Sequence, residues 1–206
     1  MKNLALLFLI SVSLSACAQK NEQNPYGLAI INTNADYKAS VKAKPSNELV
    51  EIKKAIPSIV LDIRYATKNN FMKQVMYKQP RAFARKPVVE RLKAIQSELA
   101  KKGYGLKIFD AYRPYAITIA FYEKASDKNF VANPAKGSKH NRGCAVDLTL
   151  IDLRTGKDIP MPTPYDSFEA AAAPHFSNLP AEVIKNRDFL IATMHAHGFK
   201  VIYNEW

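Results

Sequence analysis

Apolar and polar positions recur along the chain in patterns that predict a mixture of strands and helices. Strict alternation, the signal of a half-buried strand, is found in SIVLDIRY, YGLKIFDAY, CAVDLTLID and the final segment FKVIYNEW. Helical spacing is found in KPVVERLKAIQSELAKKG and AEVIKNRDFLIATMHAHG, which end at Gly103 and Gly198, and in RPYAITIAFYEKAS, which opens with Pro114 near its start. Because these elements follow no regular repeat, we expect an α+β fold in which helices flank a small antiparallel sheet.

The chain divides into three predicted regions. Residues 1–17 have one Lys, an apolar run too short to span a membrane, and small residues up to Cys17, which predicts a lipoprotein signal peptide and its lipid-modified cysteine. The alternative is cleavage after Ala18, at a small-x-small sequence. Residues 18–45 are rich in Asn, Gln, Lys and Ala, which predicts a flexible tether. Residues 46–206 form the folded domain.

The positive charge of the chain changes this picture little. The net charge is +12, and loss of the leader with its one Lys leaves +11. The Lys and Arg residues are spread along the chain rather than interleaved with aromatic residues in a basic run, so we expect no nucleic-acid binding. Attraction to anionic surfaces of the cell envelope and an ordinary solvated surface are both compatible with this charge.

The second cysteine is expected to have a packing role only. If Cys17 is lipidated or removed, Cys144 has no partner within the chain, and no disulfide framework forms. Cys144 shares the apolar side of its predicted strand with Val146, so we expect it to be a small buried residue rather than a metal ligand.

An acidic residue in an apolar strand marks the candidate site. In SKHNRGCAVDLTL, Val146 and Leu148 face one side of the strand and Asp147 faces the other. A buried Asp requires a hydrogen bond, an ion pair or a metal ion. His140 precedes it across a loop that contains Gly143, and a His and an Asp that converge suit Zn²⁺. By spacing alone, however, a loop histidine and a hydrogen-bonded aspartate are the more frequent explanation.

Four segments together resemble one known family. SKHNRGCAVDLTL resembles the Ser-x-His-x-x-Gly-x-Ala-x-Asp signature of the zinc D-alanyl-D-alanine dipeptidases, which include the vancomycin-resistance dipeptidases. IFDAYRPYAI resembles their Asp-x-Tyr-Arg-Pro segment, and YATKNNF and HGFKVIYNEW match in type and order. The resemblance runs from about Ile59 to Trp206. It implies the small α+β zinc D,D-peptidase fold that L-alanyl-D-glutamate endopeptidases share.

The resemblance also implies a set of zinc ligands. His140 and Asp147 correspond to the first two ligands. The third is the His of the family's Glu-Trp-Trp-His motif, which we expect two residues beyond Trp206, so that the domain is truncated at its C-terminus. The other histidines, which we expect to be surface, core or at most opportunistic metal-binding residues, are His175, His195 and His197.

Catalytic and substrate-binding roles follow from the same resemblance. Glu205 corresponds to the catalytic base, and Arg113 to the arginine that stabilises the reacting carbonyl oxygen. Asp166, in PTPYDSF, corresponds to the acid that receives the free amino group of the substrate, and Ser138 is a further substrate-binding candidate. Without the family, Arg113 would be expected to pair with Asp110, and Glu205 to be an exposed strand acid.

The function implied is zinc-dependent hydrolysis of the D-alanyl-D-alanine dipeptide. The enzyme is expected in the periplasm, anchored to the bacterial membrane by a lipid on Cys17. One alternative is a D,D-carboxypeptidase or L-alanyl-D-glutamate endopeptidase that acts on peptidoglycan, although such an enzyme has no use for an amino-end anchor at Asp166. Another alternative is a catalytically inactive lipoprotein that binds the cell envelope.

Overall fold

The computed structural model describes residues 24–206, so the predicted signal peptide, Cys17 and the first residues of the predicted tether lie outside the described part. None of the helices in this part is long and apolar enough to cross a membrane. The helices and strands are, in chain order, α1 (Asn34–Ala43), β1 (Leu49–Glu51), α2 (Ile52–Ala55), β2 (Val60–Leu61), β3 (Phe83–Arg85), α3 (Lys86–Ala100), β4 (Tyr104–Asp110), α4 (Tyr115–Lys124), β5 (Asp147–Asp152) and α5 (Ala181–Ala196).

The strands form two small sheets. Strands β1 and β3 pair in antiparallel fashion, and the second sheet has the strand order β2-β4-β5. The predicted α+β fold with small sheets flanked by helices is confirmed. The second sheet is mixed rather than purely antiparallel, because β2 runs parallel to β4 while β5 runs antiparallel to it. The parallel pair follows from the crossover through β3 and α3, which returns the chain in its original direction.

The main core lies between α3 and the three-stranded sheet. The predicted helix α3 buries Leu92, Ile95 and Leu99 completely, and the sheet contributes Leu106 from β4 and Leu150 from β5. Each such side chain stabilises the fold by about 1.5–3 kcal/mol when it leaves water. This packing holds β4 and β5 in one position, and both strands place functional residues at the same end of the sheet.

Two predicted strands are shorter in the structure than their alternation suggested. SIVLDIRY forms a strand only at Val60–Leu61, and a 3-10 turn at Arg64–Ala66 then directs Tyr65 into a second apolar cluster. CAVDLTLID becomes a strand only from Asp147 onward. The prediction that Cys144 is buried is wrong: Cys144 is exposed, because it lies in the turn before the strand, where alternation does not apply.

The final segment FKVIYNEW is not a strand, contrary to its alternation. It forms a turn closed by an isolated bridge between Ile202 and Glu205, and within the described residues it adds no strand to either sheet. Trp206 holds the segment in place, since its indole N–H donates to Thr163 Oγ1 at 3.0 Å and its ring packs against the main core. Alternation alone forms no strand where no sheet edge is available to pair with it.

Within the described residues 24–45 of the predicted tether, the structure contains helix α1. Helix α1 is capped by Thr33, whose side chain accepts a hydrogen bond from the Asp36 backbone N–H. The Tyr37 hydroxyl accepts a hydrogen bond from the Leu49 backbone N–H at 2.8 Å. The Tyr37 contact joins the segment to the folded domain at β1, while the Thr33 cap stabilises the helix itself.

Candidate active site

A glycine-containing loop before β5 presents His140 to the site. The Ser138 hydroxyl oxygen accepts a hydrogen bond from the His140 backbone N–H at 3.1 Å, and both residues are buried. Gly143 has a φ of 64°, and an added Cβ would lie 2.7 Å from the Leu49 side chain, so this turn requires glycine. The backbone N–H of Arg113 donates to the His140 carbonyl at 3.2 Å, which joins the loop to the segment after β4.

The His140 ring has a defined proton position. Its Nδ1 lies 2.7 Å from the carbonyl oxygen of Ala111, and a carbonyl can only accept, so Nδ1 carries the hydrogen. In the neutral ring this leaves the lone pair of Nε2 facing Asp147 Oδ1 at 3.3 Å. Desolvation lowers the pKa of His140, but the charge and hydrogen bond of Asp147 and the charge of Asp110 together raise it above its ordinary value.

Asp147, the first residue of β5, is held from two further directions. Its Oδ2 accepts a hydrogen bond from the Tyr165 hydroxyl at 3.1 Å, and Arg113 Nη2 lies 3.9 Å from the same oxygen. Burial opposes the charged form, but the charge and hydrogen bond of His140 and the charge of Arg113 lower the pKa of Asp147 below its ordinary value. The carboxylate therefore stays ionised, with Oδ1 directed at the imidazole.

This pair fits a divalent metal ion. In the neutral ring a lone pair on Nε2 faces an anionic oxygen, an arrangement that a metal ion or, without one, a proton on Nε2 stabilises. Two ligands about 2.0–2.2 Å from a tetrahedral zinc ion lie about 3.3 Å apart, which agrees with the 3.3 Å observed between His140 Nε2 and Asp147 Oδ1. A hydrogen bond from the other ring nitrogen to a backbone carbonyl is typical of histidines that bind metals.

Asp110 lies in the same cluster of possible ligands but serves a different purpose. Its Oδ2 accepts two hydrogen bonds from Arg113, at 3.0 and 2.8 Å, and its Oδ1 accepts from the Tyr77 hydroxyl and the Ala111 backbone N–H. Its closest approach to His140 is 3.8 Å, to Nδ1 rather than to Nε2. Asp110 therefore orients Arg113 instead of binding metal beside Asp147.

Arg113 is a buried cation with a fixed direction. The expected pair with Asp110 is present, and the guanidinium also lies 4.7 Å from the Phe121 ring centroid and 5.3 Å from that of Tyr65. Desolvation opposes its charge, but Asp110 and the neighbouring tyrosines together raise the pKa of Arg113 well above its ordinary value. A permanently charged group thus lies beside Asp147.

Asp166 carries a half-buried carboxylate near Asp147. Both of its oxygens accept from the Tyr65 hydroxyl, at 3.0 and 2.8 Å, which is its single hydrogen-bond partner in the described chain. Desolvation raises the pKa of Asp166, the Tyr65 hydrogen bond lowers it, the charge of Asp147 raises it, and the result is about 7. A desolvated carboxylate without an ion-pair partner is suited to receive a cationic group.

Glu205 reaches the same site from the final segment. The residue as a whole is exposed, yet its carboxyl group lies among the site's protein atoms: desolvation first, and the charge of Asp147 second, raise its pKa to about 7. The charges of His140 and Arg113 act on it in the opposite direction. Glu205 is thus near enough to Asp147, His140, Arg113 and Asp166 for their charges to act on its carboxyl group.

Other candidate residues stay outside the site. His175 is exposed, His195 accepts from the backbone N–H of Val201, and His197 pairs with Glu98 at 2.9 Å. In the part of the chain that the structure describes, the cluster of possible metal ligands contains none of them, and it does not contain the exposed Cys144. The backbone contact of Ser138 gives it a role in shaping the His140 loop.

Sequence reasoning missed three tyrosines that line the site. Tyr65 donates to Asp166, Tyr77 donates to Asp110, and Tyr165 donates to Asp147. Tyr65 lies in YATKNNF and Tyr165 in PTPYDSF, two segments that the sequence analysis had singled out. Their partners lie up to 101 positions away, so no local spacing could pair them.

The fold and this cluster together define a metal-dependent hydrolase. A family model described as D-ala-D-ala dipeptidase matches residues 45–206, and the chain belongs to the D-ala-D-ala dipeptidase family. It is 30% identical to a D-alanyl-D-alanine dipeptidase of Escherichia coli over 161 residues, which cover 78% of this chain and 83% of that protein. It is 28% identical to the D-alanyl-D-alanine dipeptidases of Enterococcus faecium and Enterococcus faecalis, over 70% of this chain and 82% of each relative. The family resemblance noted in the sequence is confirmed.

Proposed function

We propose that this protein hydrolyses the dipeptide D-alanyl-D-alanine at a zinc ion that has His140 and Asp147 among its ligands. The observation that carries the proposal is the 3.3 Å distance between His140 Nε2 and Asp147 Oδ1, two electron-pair donors that face each other. The relatives in Escherichia coli and the two Enterococcus species carry the name of this activity, which supports the choice of substrate.

The donor set supports zinc over the harder cations. An imidazole nitrogen beside a carboxylate suits zinc, whereas Mg²⁺ and Ca²⁺ prefer sites made of oxygen atoms alone. When bound, zinc would supply Lewis-acid chemistry, which polarises the scissile carbonyl and makes a water molecule more acidic. The chain's own side chains would then orient the substrate, transfer protons and stabilise the charge that develops on the carbonyl oxygen.

Glu205 is the proposed general base. A carboxyl group with a pKa of about 7 takes up and releases a proton near neutral pH, which suits a group that must do both in one reaction. Glu205 would accept a proton from the attacking water and return one to the leaving amine. Its position is supported by the Trp206 indole, which joins the segment to Thr163.

Arg113 is the proposed stabiliser of the carbonyl oxygen. The two hydrogen bonds from its Nε and Nη2 to Asp110 leave other guanidinium N–H groups available for an oxygen that gains negative charge. A donor that is already oriented and desolvated needs no rearrangement as the charge develops, and removal of one such donor typically lowers kcat by about 10²–10³-fold.

Asp166 is the proposed anchor for the substrate's ammonium group. Its carboxylate lacks a cationic partner in the described chain and is held by Tyr65, so a free amino end would form a charge-assisted hydrogen bond there. A short substrate with a free amino terminus satisfies Asp166, whereas the uncleaved strand of peptidoglycan does not. This favours a dipeptidase over a peptidase that cuts the polymer.

The test compares three substrates with the full-length, zinc-loaded protein. We expect rapid hydrolysis of D-alanyl-D-alanine and much slower hydrolysis of both N-acetyl-D-alanyl-D-alanine and a peptidoglycan stem peptide. Equal or faster hydrolysis of the stem peptide would favour a D,D-carboxypeptidase or endopeptidase instead. Absence of hydrolysis of every peptide would favour an envelope-binding protein.

The cellular location is part of the same proposal. We propose that the leader ends at a lipid-modified Cys17, which anchors the enzyme to the bacterial membrane on the periplasmic side. The support is the run of small residues up to Cys17 after an apolar segment that is too short to span a membrane. An anchored enzyme would meet dipeptides released from the cell wall near their source.

A further inference from the structure

The hydroxyl of Tyr165 lies behind the candidate metal ligand Asp147. The two carboxylate oxygens of this aspartate have different partners. Oδ1 faces His140 Nε2 at 3.3 Å, and Oδ2 accepts a hydrogen bond from the Tyr165 hydroxyl at 3.1 Å. Apart from His140 at Oδ1, the other donor group near the Asp147 carboxylate among the described residues is the more distant Arg113, whose Nη2 is 3.9 Å from Oδ2. The position of Oδ2, and with it the direction of Oδ1 when His140 Nε2 carries no hydrogen, therefore depends mainly on Tyr165.

The ring of Tyr165 is itself held firmly. Its centroid lies 4.7 Å from that of Phe109 and 6.1 Å from that of Tyr65, and it packs against the second apolar cluster. Rings at these distances contribute about 0.5–1.5 kcal/mol per pair beyond their burial. The hydroxyl thus reaches Asp147 from a fixed ring and not from a mobile side chain.

The backbone after Tyr165 is shaped for a second contact with the site. Asp166 has a φ of 60°, a left-handed conformation that is uncommon for a residue other than glycine. This conformation lets two consecutive side chains reach the same cleft: Tyr165 donates to Asp147, while Asp166 accepts from Tyr65. Strained backbone of this kind persists where the surrounding contacts hold it, often at functional sites.

We propose that Tyr165 is a positioning residue of the metal site. Its hydroxyl holds Asp147 with Oδ1 directed at His140, and its place in the turn joins the metal ligand to the substrate anchor Asp166. The inference rests on the proposed role of Asp147 as a metal ligand. Loss of a hydrogen bond behind a metal ligand typically weakens metal binding or activity by about 10–100-fold, because the ligand then samples orientations that do not bind.

The test is Tyr165→Phe in the full-length protein, with zinc affinity measured by competition against a chelator and without substrate. We expect zinc to bind about 10–100-fold more weakly than in the wild type. The KM for D-alanyl-D-alanine at saturating zinc should change little, since Asp166 and Tyr65 remain in place. Phenylalanine keeps the ring contacts, so the metal-free variant should melt within a few degrees of the metal-free wild type, and this measurement checks that it folds.

Tyr65→Phe is the matched control. It removes the same atom from a neighbouring ring, but that hydroxyl serves Asp166 instead of the metal ligand. We expect Tyr65→Phe to raise the KM for the dipeptide and to leave zinc affinity near that of the wild type. Tyr165→Phe should therefore change zinc affinity but not KM, and Tyr65→Phe should change KM but not zinc affinity. A general loss of packing would not separate the two quantities in this way.

Two further outcomes separate this inference from the proposed function. Wild-type zinc affinity in a folded Tyr165→Phe protein would overturn the role of Tyr165 while leaving the metal site intact. Stoichiometric zinc in His140→Ala, measured in the same assay, would instead overturn the metal site itself. Equal weakening of zinc binding in Tyr165→Phe and Tyr65→Phe would also overturn the inference, because it would show that both rings act through packing alone.

Discussion

Replacement of Asp166 by Asn tests the substrate anchor with little change in shape. Asn keeps an oxygen that can accept the Tyr65 hydroxyl, which now lies 2.8 and 3.0 Å from the two carboxylate oxygens. It removes the negative charge that would receive the ammonium group. A hydrogen bond to a charged group contributes about 1.5–3 kcal/mol, and each 1.36 kcal/mol is tenfold in rate. We therefore expect kcat/KM for D-alanyl-D-alanine to fall by about 10–150-fold.

The assay compares the free dipeptide with its N-acetyl form. N-acetyl-D-alanyl-D-alanine has no ammonium group, so its kcat/KM should be nearly the same in Asp166→Asn and wild type. Asp152→Asn is the matched control: Asp152 lies at the far end of β5, where its Oδ1 accepts the Thr155 backbone N–H at 2.8 Å, and Asn can make the same contact. This control should hydrolyse both substrates at wild-type rates.

The pH dependence gives a second criterion. Because the pKa of Asp166 is raised to about 7, its carboxylate is present above that pH and is lost as the pH falls through it. The ratio of wild-type to Asp166→Asn kcat/KM for the free dipeptide should be largest above pH 7 and should shrink below it. An equal loss for the free and acetylated substrates, or a ratio that does not change with pH, would refute the anchor.

Two substitutions and one measurement on the native protein test other parts of the account. Arg113→Lys keeps the charge but loses the two-point contact with Asp110, so kcat should fall by about 10²-fold or more with a small change in KM; an unchanged kcat would contradict its role. Gly143→Ala places a methyl group against Leu49 at a φ of 64°, and the unfolding free energy, measured by denaturant titration, should fall by about 1–3 kcal/mol; a wild-type value would show that the loop adapts. Mass spectrometry of the membrane fraction should find an acylated N-terminal Cys17, and an unmodified soluble form would contradict the anchor.

The helix that forms the main core could be predicted from the sequence because its signal is local. Leu92, Ile95 and Leu99 recur at helical spacing, and the structure buries all three. The convergence of His140 and Asp147 was also predictable, since a loop with a glycine joins them over a short distance in the chain. Both predictions depended on neighbours within a few residues.

Contacts between distant segments could not be predicted in this way. Tyr65 and Asp166 are 101 positions apart, and no pattern within either segment indicates that they meet. The final segment FKVIYNEW alternates like a strand but forms a turn, because strand formation depends on a sheet edge supplied by other parts of the chain. Cys144 was assigned to the buried side of a strand that begins three residues later, after the turn at Gly143.

Metal content of the full-length protein tests the central claim most directly. We expect about one zinc ion per molecule in the wild type and in His175→Ala, whose exposed imidazole lies outside the site. His140→Ala should retain near-background zinc and lose hydrolysis of D-alanyl-D-alanine, because it removes the Nε2 that faces Asp147 at 3.3 Å. Stoichiometric zinc in His140→Ala, or loss of zinc in His175→Ala, would contradict the assignment of the metal site.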